Sequence, residues 1–252
     1  MTAPPIDAEA EPIRRAPSVL RRFLRSRSAV IGAALLGAWV FIALAAPLLA
    51  PYDPTETVAL ARRPPTAQHW FGTDLLGRDL FSRVIFGSRI SLQLGLISVA
   101  LGALPGIALG LVAGYYAGLV DTLVSRFVDA LLAFPSILLA LVVIAALGPS
   151  IQNVMIAVGV ASIPQYARLV RGSVLAIAQL PYVEAARVIG APSLRVMWRH
   201  ILANAYAPVL VLSTLQIGNA ILVGSGLSFL GLGAQPPIPE WGLMSAEGRE
   251  VL

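Results

Sequence analysis

Residues Ile90–Val120 read ISLQLGLISVALGALPGIALGLVAGYYAGLV and carry no charge. A helix needs roughly 20 apolar residues to cross a hydrocarbon core, so this stretch sets the fold class as an all-α integral membrane protein. Within it Gly102, Gly106, Gly110, Gly114 and Gly118 recur at every fourth position. That spacing stacks them along one helix face, where a second helix backbone can approach closely. Generic glycine enrichment in membrane helices is the plain alternative, but five in register favour a helix-packing face. Pro105 is placed to kink this helix, and neighbours in a bundle can satisfy the carbonyl it frees.

The rest of the chain extends this pattern. The 252 residues are 57% hydrophobic and 12% charged, about half the charge of a soluble domain, with a mean hydropathy of +0.80. Ala29–Leu49 is a second uncharged run, preceded by Arg14, Arg15, Arg21, Arg22, Arg25 and Arg27. It is too long for a typical signal-peptide core, which favours an uncleaved first helix with a cytoplasmic N-terminus. Residues 124–147 form a third span, with Pro135 inside it and Arg126 and Asp129 near its cytoplasmic start. Gly148-Pro149-Ser150 is a tight turn, Ile151 to about Ala167 a fourth span, and Tyr206–Leu230 a fifth. The expected architecture is therefore a polytopic helix bundle with five spans.

Alternation places 51–89 outside and 168–205 inside. The inner segment carries Arg168, Arg171, Arg187, Arg195 and Arg199 against one acid, Glu184, as the positive-inside rule requires. The 51–89 segment also holds five arginines, so orientation rests mainly on the N-terminal cluster. Trp70–Arg89 shows apolar residues at helical spacing, which predicts a short amphipathic helix along the membrane surface. The resulting division is a disordered cytoplasmic tail over 1–18, a first transmembrane helix with an extracellular amphipathic segment over 19–89, and a core over 90–252.

Composition excludes several activities. There is no cysteine, hence no disulfide, thiol nucleophile or thiolate metal site. His69 and His200 lie far apart, which argues against a metal or haem site in this chain. All 18 basic residues are arginine, and a phosphate-binding P-loop needs a lysine. If ATP drives this protein, a partner binds it. The net charge of +5 does not imply nucleic acid, because the arginines flank apolar spans.

The loop 168–204 is the most informative polar segment. Pro181 stands where a first helical residue fits and Gly190 where a helix ends, enclosing PYVEAARVIG. A second helix is expected over Ser193–Leu202. Tyr182, Val183, Val188 and Ile189 around a lone Glu184 make a surface that a cytoplasmic partner can bury while pairing the acid with an arginine. A connector with all its groups satisfied is the plain alternative. Both ends are tied to spans, which argues against reading the helix pair as DNA-binding.

The run Glu184-Ala185-Ala186-Arg187-Val188-Ile189-Gly190 resembles the EAA loop of bacterial ABC importer permeases. Arg199-His200-Ile201-Leu202-Ala203-Asn204 is similar to the dipeptide and oligopeptide branch, which usually has proline where Ala203 stands. FGTDLLGRD from Phe71 to Asp79, followed by Ser82-Arg83, and Pro239-Glu240-Trp241-Gly242 resemble the second, C-type permease of that branch. The resemblance covers about Arg22 to the end. It implies a type I importer permease in the bacterial inner membrane that moves dipeptides, oligopeptides or similar solutes. The implied partners are a second permease in a heterodimer, two ATP-binding subunits that hold ATP and magnesium, an extracytoplasmic solute-binding protein, and lipid. The chain itself is expected to be non-catalytic and without a cofactor. The family's docking role carries over to Glu184, Ala185, Ala186 and Gly190, with Tyr182 and Val183 beside them. The family has six spans, so a sixth is expected after residue 252.

A secondary transporter is the competing class. It would keep ionisable residues near mid-membrane, and Asp129 alone comes near, close to one end of its span. A permease for nickel or another non-peptide solute is the other alternative. Gln216, Asn219 and Ser225 on the fifth span either line a pathway or join helices.

Overall fold

The computed structural model describes residues 23–249. The expected tail over 1–18, Arg14, Arg15, Arg21 and Arg22, and a sixth span after residue 252 lie outside them. The chain divides into two units, Met1–Phe41 and Ile42–Leu252. The first contributes most of α1 (Arg27–Leu44), an uninterrupted apolar helix with a mean hydropathy of 1.9.

The second unit is helical. It comprises α2 (Ala46–Leu49), α3 (Leu80–Tyr116), α4 (Gly118–Leu132), α5 (Ser136–Leu147), α6 (Ile151–Ile177), α7 (Pro181–Val188), α8 (Ser193–Arg195), α9 (Ala203–Phe229) and α10 (Trp241–Arg249). A π-helical turn, Val196–Leu202, joins α8 to α9. The α3–α6 pair is the most extensive helix contact, and α6 also packs on α4, α5 and α9. One apolar core joins Leu94, Ile144, Val154, Val158 and Leu227. A second joins Leu111, Tyr166, Val170, Val174, Val196 and Ile201.

The α3–α6 seam is built on glycine. A methyl group at Gly106 would stand 2.5 Å from Tyr166 Cβ and 2.8 Å from Ile163 O. At Gly110 it would stand 2.6 Å from Ala167 O, and at Gly114 2.7 Å from Val174 Cβ. At Gly102 it would meet Ser162 and, at 2.7 Å, Gly159 O. Gly159 answers from α6, where a methyl would lie 2.8 Å from Leu101 Cβ. Gly118 is a correction to the five-residue face. It starts α4 at φ +56°, beside Ala117 at φ +53°, and a methyl there meets nothing within 4 Å. The two left-handed residues end α3 at Tyr116 rather than Val120.

Four further expectations change. The surface helix over Trp70–Arg89 does not form. Residues 70–79 are turns containing Gly72 and Gly77 at φ +75°, and residues 80–89 are the first turns of α3. The Asp79 carboxylate accepts from Ser82 N at 2.8 Å, a side-chain cap that starts the helix there. The third span is two helices, α4 and α5, bent by 90°. Pro135 lacks an N–H and disfavours helix in the residue before it. The fourth span continues to Ile177, because Arg168 and Arg171 find acids on α4 and need not leave the helix. The second loop helix is not separate, since Ser193–Phe229 is one continuous run.

Among the described residues α1, α3 and the Ser193–Phe229 run are long and apolar enough to cross a membrane, and the bent pair α4–α5 makes up to four. The helix α6, read as the fourth span, is about 40 Å long at 1.5 Å per residue. Gln152, Asn153, Gln165, Arg168 and Arg171 lower its apolarity. That composition suits a helix surrounded by other helices rather than by lipid.

Candidate functional site

The amphipathic helix α7 follows α6 directly. Pro181 occupies its first turn, where a missing N–H costs nothing. Val183 is fully buried and Ala186 nearly so, and Val183 packs in the core with Val174, Val196 and Ile201. These two residues are therefore a correction to the expected docking surface: they fasten α7 to its own bundle. The opposite face is free. Glu184, Ala185 and Arg187 are exposed, with Val188 at 81% and Ile189 at 83%. Among the described residues the Glu184 carboxylate has no hydrogen bond or ion pair. Leu194 and Trp198, which sequence reasoning did not single out, extend the apolar surface at 64% and 57% exposure.

The end of α7 is fixed by Gly190 at φ +82°. Gly190 N donates to Arg187 O and Ala191 N to Ala186 O, both at 3.0 Å. This paired pattern with a left-handed residue is a Schellman closure, which favours glycine. The Arg187 guanidinium lies 4.9 Å above the Tyr115 ring at the end of α3, and Tyr182 Oη donates to His200 O at 3.3 Å. The helix is thus tied to α3, α6 and the Val196–Leu202 turn together. A push on α7 reaches all three.

Two ion pairs brace the same end of the bundle. Arg171 makes a two-pronged pair with Asp121, and Arg168 Nη2 donates to Asp129 Oδ1 at 2.7 Å. They join α6 to α4.

At the far end of α3, about 55 Å away at 1.5 Å per residue, a buried polar cluster organises residues 50–83. Arg78 and Arg83 are 1% and 0% exposed. Arg78 Nε donates to Asp74 Oδ2 at 2.5 Å, and Arg78 Nη2 and Arg83 Nη2 both reach Glu247 at 3.2 Å. Asp79 also lies 2.9 Å from His69 Nδ1. Glu240 accepts from Ser225 Oγ at 2.8 Å and Leu243 N at 2.9 Å, and Trp241 Nε1 donates to Val84 O at 3.1 Å. Gly87 leaves room for the Trp241 ring, since a methyl there would stand 2.6 Å from Trp241 Cδ1. The segments from Phe71 to Gly87 and from Pro239 to Glu247 therefore meet through Arg78, Arg83 and Trp241. Sequence reasoning read the motif from Phe71 to Asp79 as part of a surface helix, and that motif and Pro239 to Gly242 as family signatures, and it did not pair them.

A short amphipathic helix is thus pinned at one end of a glycine-packed bundle. Residues 106–250 match the binding-protein-dependent transport system inner membrane component family, and residues 17–66 match the N-terminal transmembrane domain of oligopeptide transport permease C. The chain belongs to this permease family. A dipeptide transport system permease protein of Alkalihalophilus pseudofirmus is 41% identical over 92% of this chain and 77% of that protein. A glutathione transport system permease protein of Shigella dysenteriae serotype 1 is 48% identical over 91% and 76%. The crystal structure of an amino acid ABC transporter with histidines superposes with a TM-score of 0.51 at 17% identity, over 68% of this chain and 79% of that one, which supports the fold. The protein is thus an ABC importer permease of the oligopeptide C type with the type I fold. It is a multi-pass inner-membrane component that works in a complex with ATPase and binding-protein partners.

Proposed function

We propose that this permease forms half of a pathway for dipeptides or glutathione-sized peptides and takes its drive from an ATPase docked on the exposed face of α7. The observation that carries the docking is the division of α7 into a buried face, Val183 and Ala186, and a free face, Glu184, Ala185, Val188 and Ile189. Exposed Val188 and Ile189 beside Glu184, which has no ion pair among the described residues, give a partner both a grip and a charge to match. The peptide cargo is supported by the dipeptide and glutathione permeases that this chain resembles.

In this reading a second permease completes the pathway and two ATP-binding subunits hold ATP and magnesium. The chain lacks the lysine of a phosphate loop and performs no catalysis. The α7 end faces the cytoplasm with the N-terminus, as its arginines favour. Closure of the ATPases on ATP shifts α7. The shift moves α3 and α6 through Tyr115 and Val174, and the pathway opens toward the binding protein. Such coupling requires that α7 interact differently with the two ATPase states.

The test is uptake of labelled dipeptide and glutathione by vesicles carrying the full transporter. Uptake should require ATP and the binding protein and persist when the proton gradient is collapsed. Uptake that survives ATP depletion and fails with the collapsed gradient would instead establish a secondary transporter.

A further inference from the structure

Midway along the bundle, α3, α6 and α9 turn uncharged polar side chains toward one small cavity. Ser98, Ser162, Gln165, Gln216 and Asn219 line it, with Ser136 from the start of α5. Its volume is about 20 Å³, enough for a water molecule and little more. Ser98 is 1% exposed, and its hydroxyl has no partner among the described residues. The Gln216 amide donates to Gln165 Oε1, and Asn219 Nδ2 donates to Gln216 Oε1 at 3.3 Å. That chain leaves the Gln165 amide N–H groups and the Asn219 carbonyl oxygen uncommitted.

The cluster is not sealed. Asn219 and Ser136 are exposed on the chain's surface. Polar groups at the centre of a membrane helix face protein or water, because hydrocarbon offers them no partner. Gln165 also lines a second space, an open groove of about 710 Å³ between α4, α6 and α9, walled by Leu132, Leu169, Pro208, Val211 and Leu212 with Arg168 beside them. That volume falls in the range that holds a small organic ligand. Gln165 is thus shared by the amide cluster and a largely apolar groove beside it.

We propose that Gln165, Gln216 and Asn219 form a station for the peptide backbone on the translocation pathway, an assignment that rests on the peptide-importer reading. A carboxamide offers both donors and an acceptor, the complement of a peptide unit whatever side chains it carries. No charged residue belongs to the cluster, so it selects neither a terminus nor a charged side chain. It holds the cargo weakly enough to release it, as a conducting site must.

The experiment uses the complete transporter in proteoliposomes, with trialanine-loaded binding protein as the probe. Trialanine-stimulated ATP hydrolysis and trialanine uptake are measured together for Gln216→Met and Asn219→Leu. The expected result is uptake lowered about tenfold, the scale of one lost hydrogen bond, with stimulated hydrolysis unchanged. Uptake and hydrolysis both equal to wild type would overturn the station and leave the cluster as a water-filled helix contact. If Gln216→Met fails to assemble, Asn219→Leu decides alone, because Asn219 is exposed and gives up a single long hydrogen bond, to Gln216 Oε1. Absence of trialanine-stimulated hydrolysis in the wild type would overturn the peptide reading itself.

Discussion

Gly110 shows how a single residue can govern the seam between α3 and α6. A side chain there would press on the Ala167 carbonyl at 2.6 Å and on Val170 Cβ at 2.8 Å, and neither belongs to the end of a flexible side chain. Gly110→Val should therefore destabilise the bundle by about 1–3 kcal/mol, the usual cost of overpacking. Gly172→Ala, where a methyl meets nothing within 4 Å, should be neutral. Thermal unfolding in detergent distinguishes them, and equal melting temperatures would remove the seam from the account. The four-residue glycine period was legible because it is a local regularity of one helix. The charge clamp was not, since Arg83 and Glu247 lie 164 positions apart and only tertiary folding joins them. Arg83→Met should destabilise the protein by about 3–5 kcal/mol, by leaving Glu247 and Asp74 short of a buried cation. An unchanged melting curve would contradict the clamp.

At the scale of elements, α7 joins a readable boundary to an unreadable orientation. Pro181 and Gly190 bracket it in the sequence, and both end where the helix does. Which of its apolar residues face inward depends on Val174, Val196 and Ile201, so Val183 was wrongly expected to face a partner. The same limit applies at Pro135. A proline announces a break, but the 90° turn between α4 and α5 depends on what each half packs against. The length of α6 was missed because Arg168 and Arg171 look like a helix end until Asp129 and Asp121 appear beside them. Gly190→Asp should abolish uptake while the protein still reaches the membrane. It forces a side chain into a left-handed position that closes α7. Membrane fractionation with a parallel uptake assay checks both halves, and normal uptake would show that the closure does not matter.

For the whole molecule, the two ends of α3 carry different kinds of structure. The end with the buried clamp is cross-braced by Arg78 and Arg83 against Asp74 and Glu247. The other end presents α7 with Val188 and Ile189 exposed and, among the described residues, Glu184 without an ion pair. Between them runs the close-packed glycine seam of α3 and α6, with the amide cluster beside it. In the proposed reading, drive is received at α7 and delivered along the paired helices α3 and α6. The direct test is co-purification in mild detergent of the ATP-binding subunits with the intact chain and with Glu184→Lys. The account predicts capture of the ATPase by the intact chain and its loss, with ATP hydrolysis, in the variant. Equal capture and equal hydrolysis by both chains would contradict docking on α7.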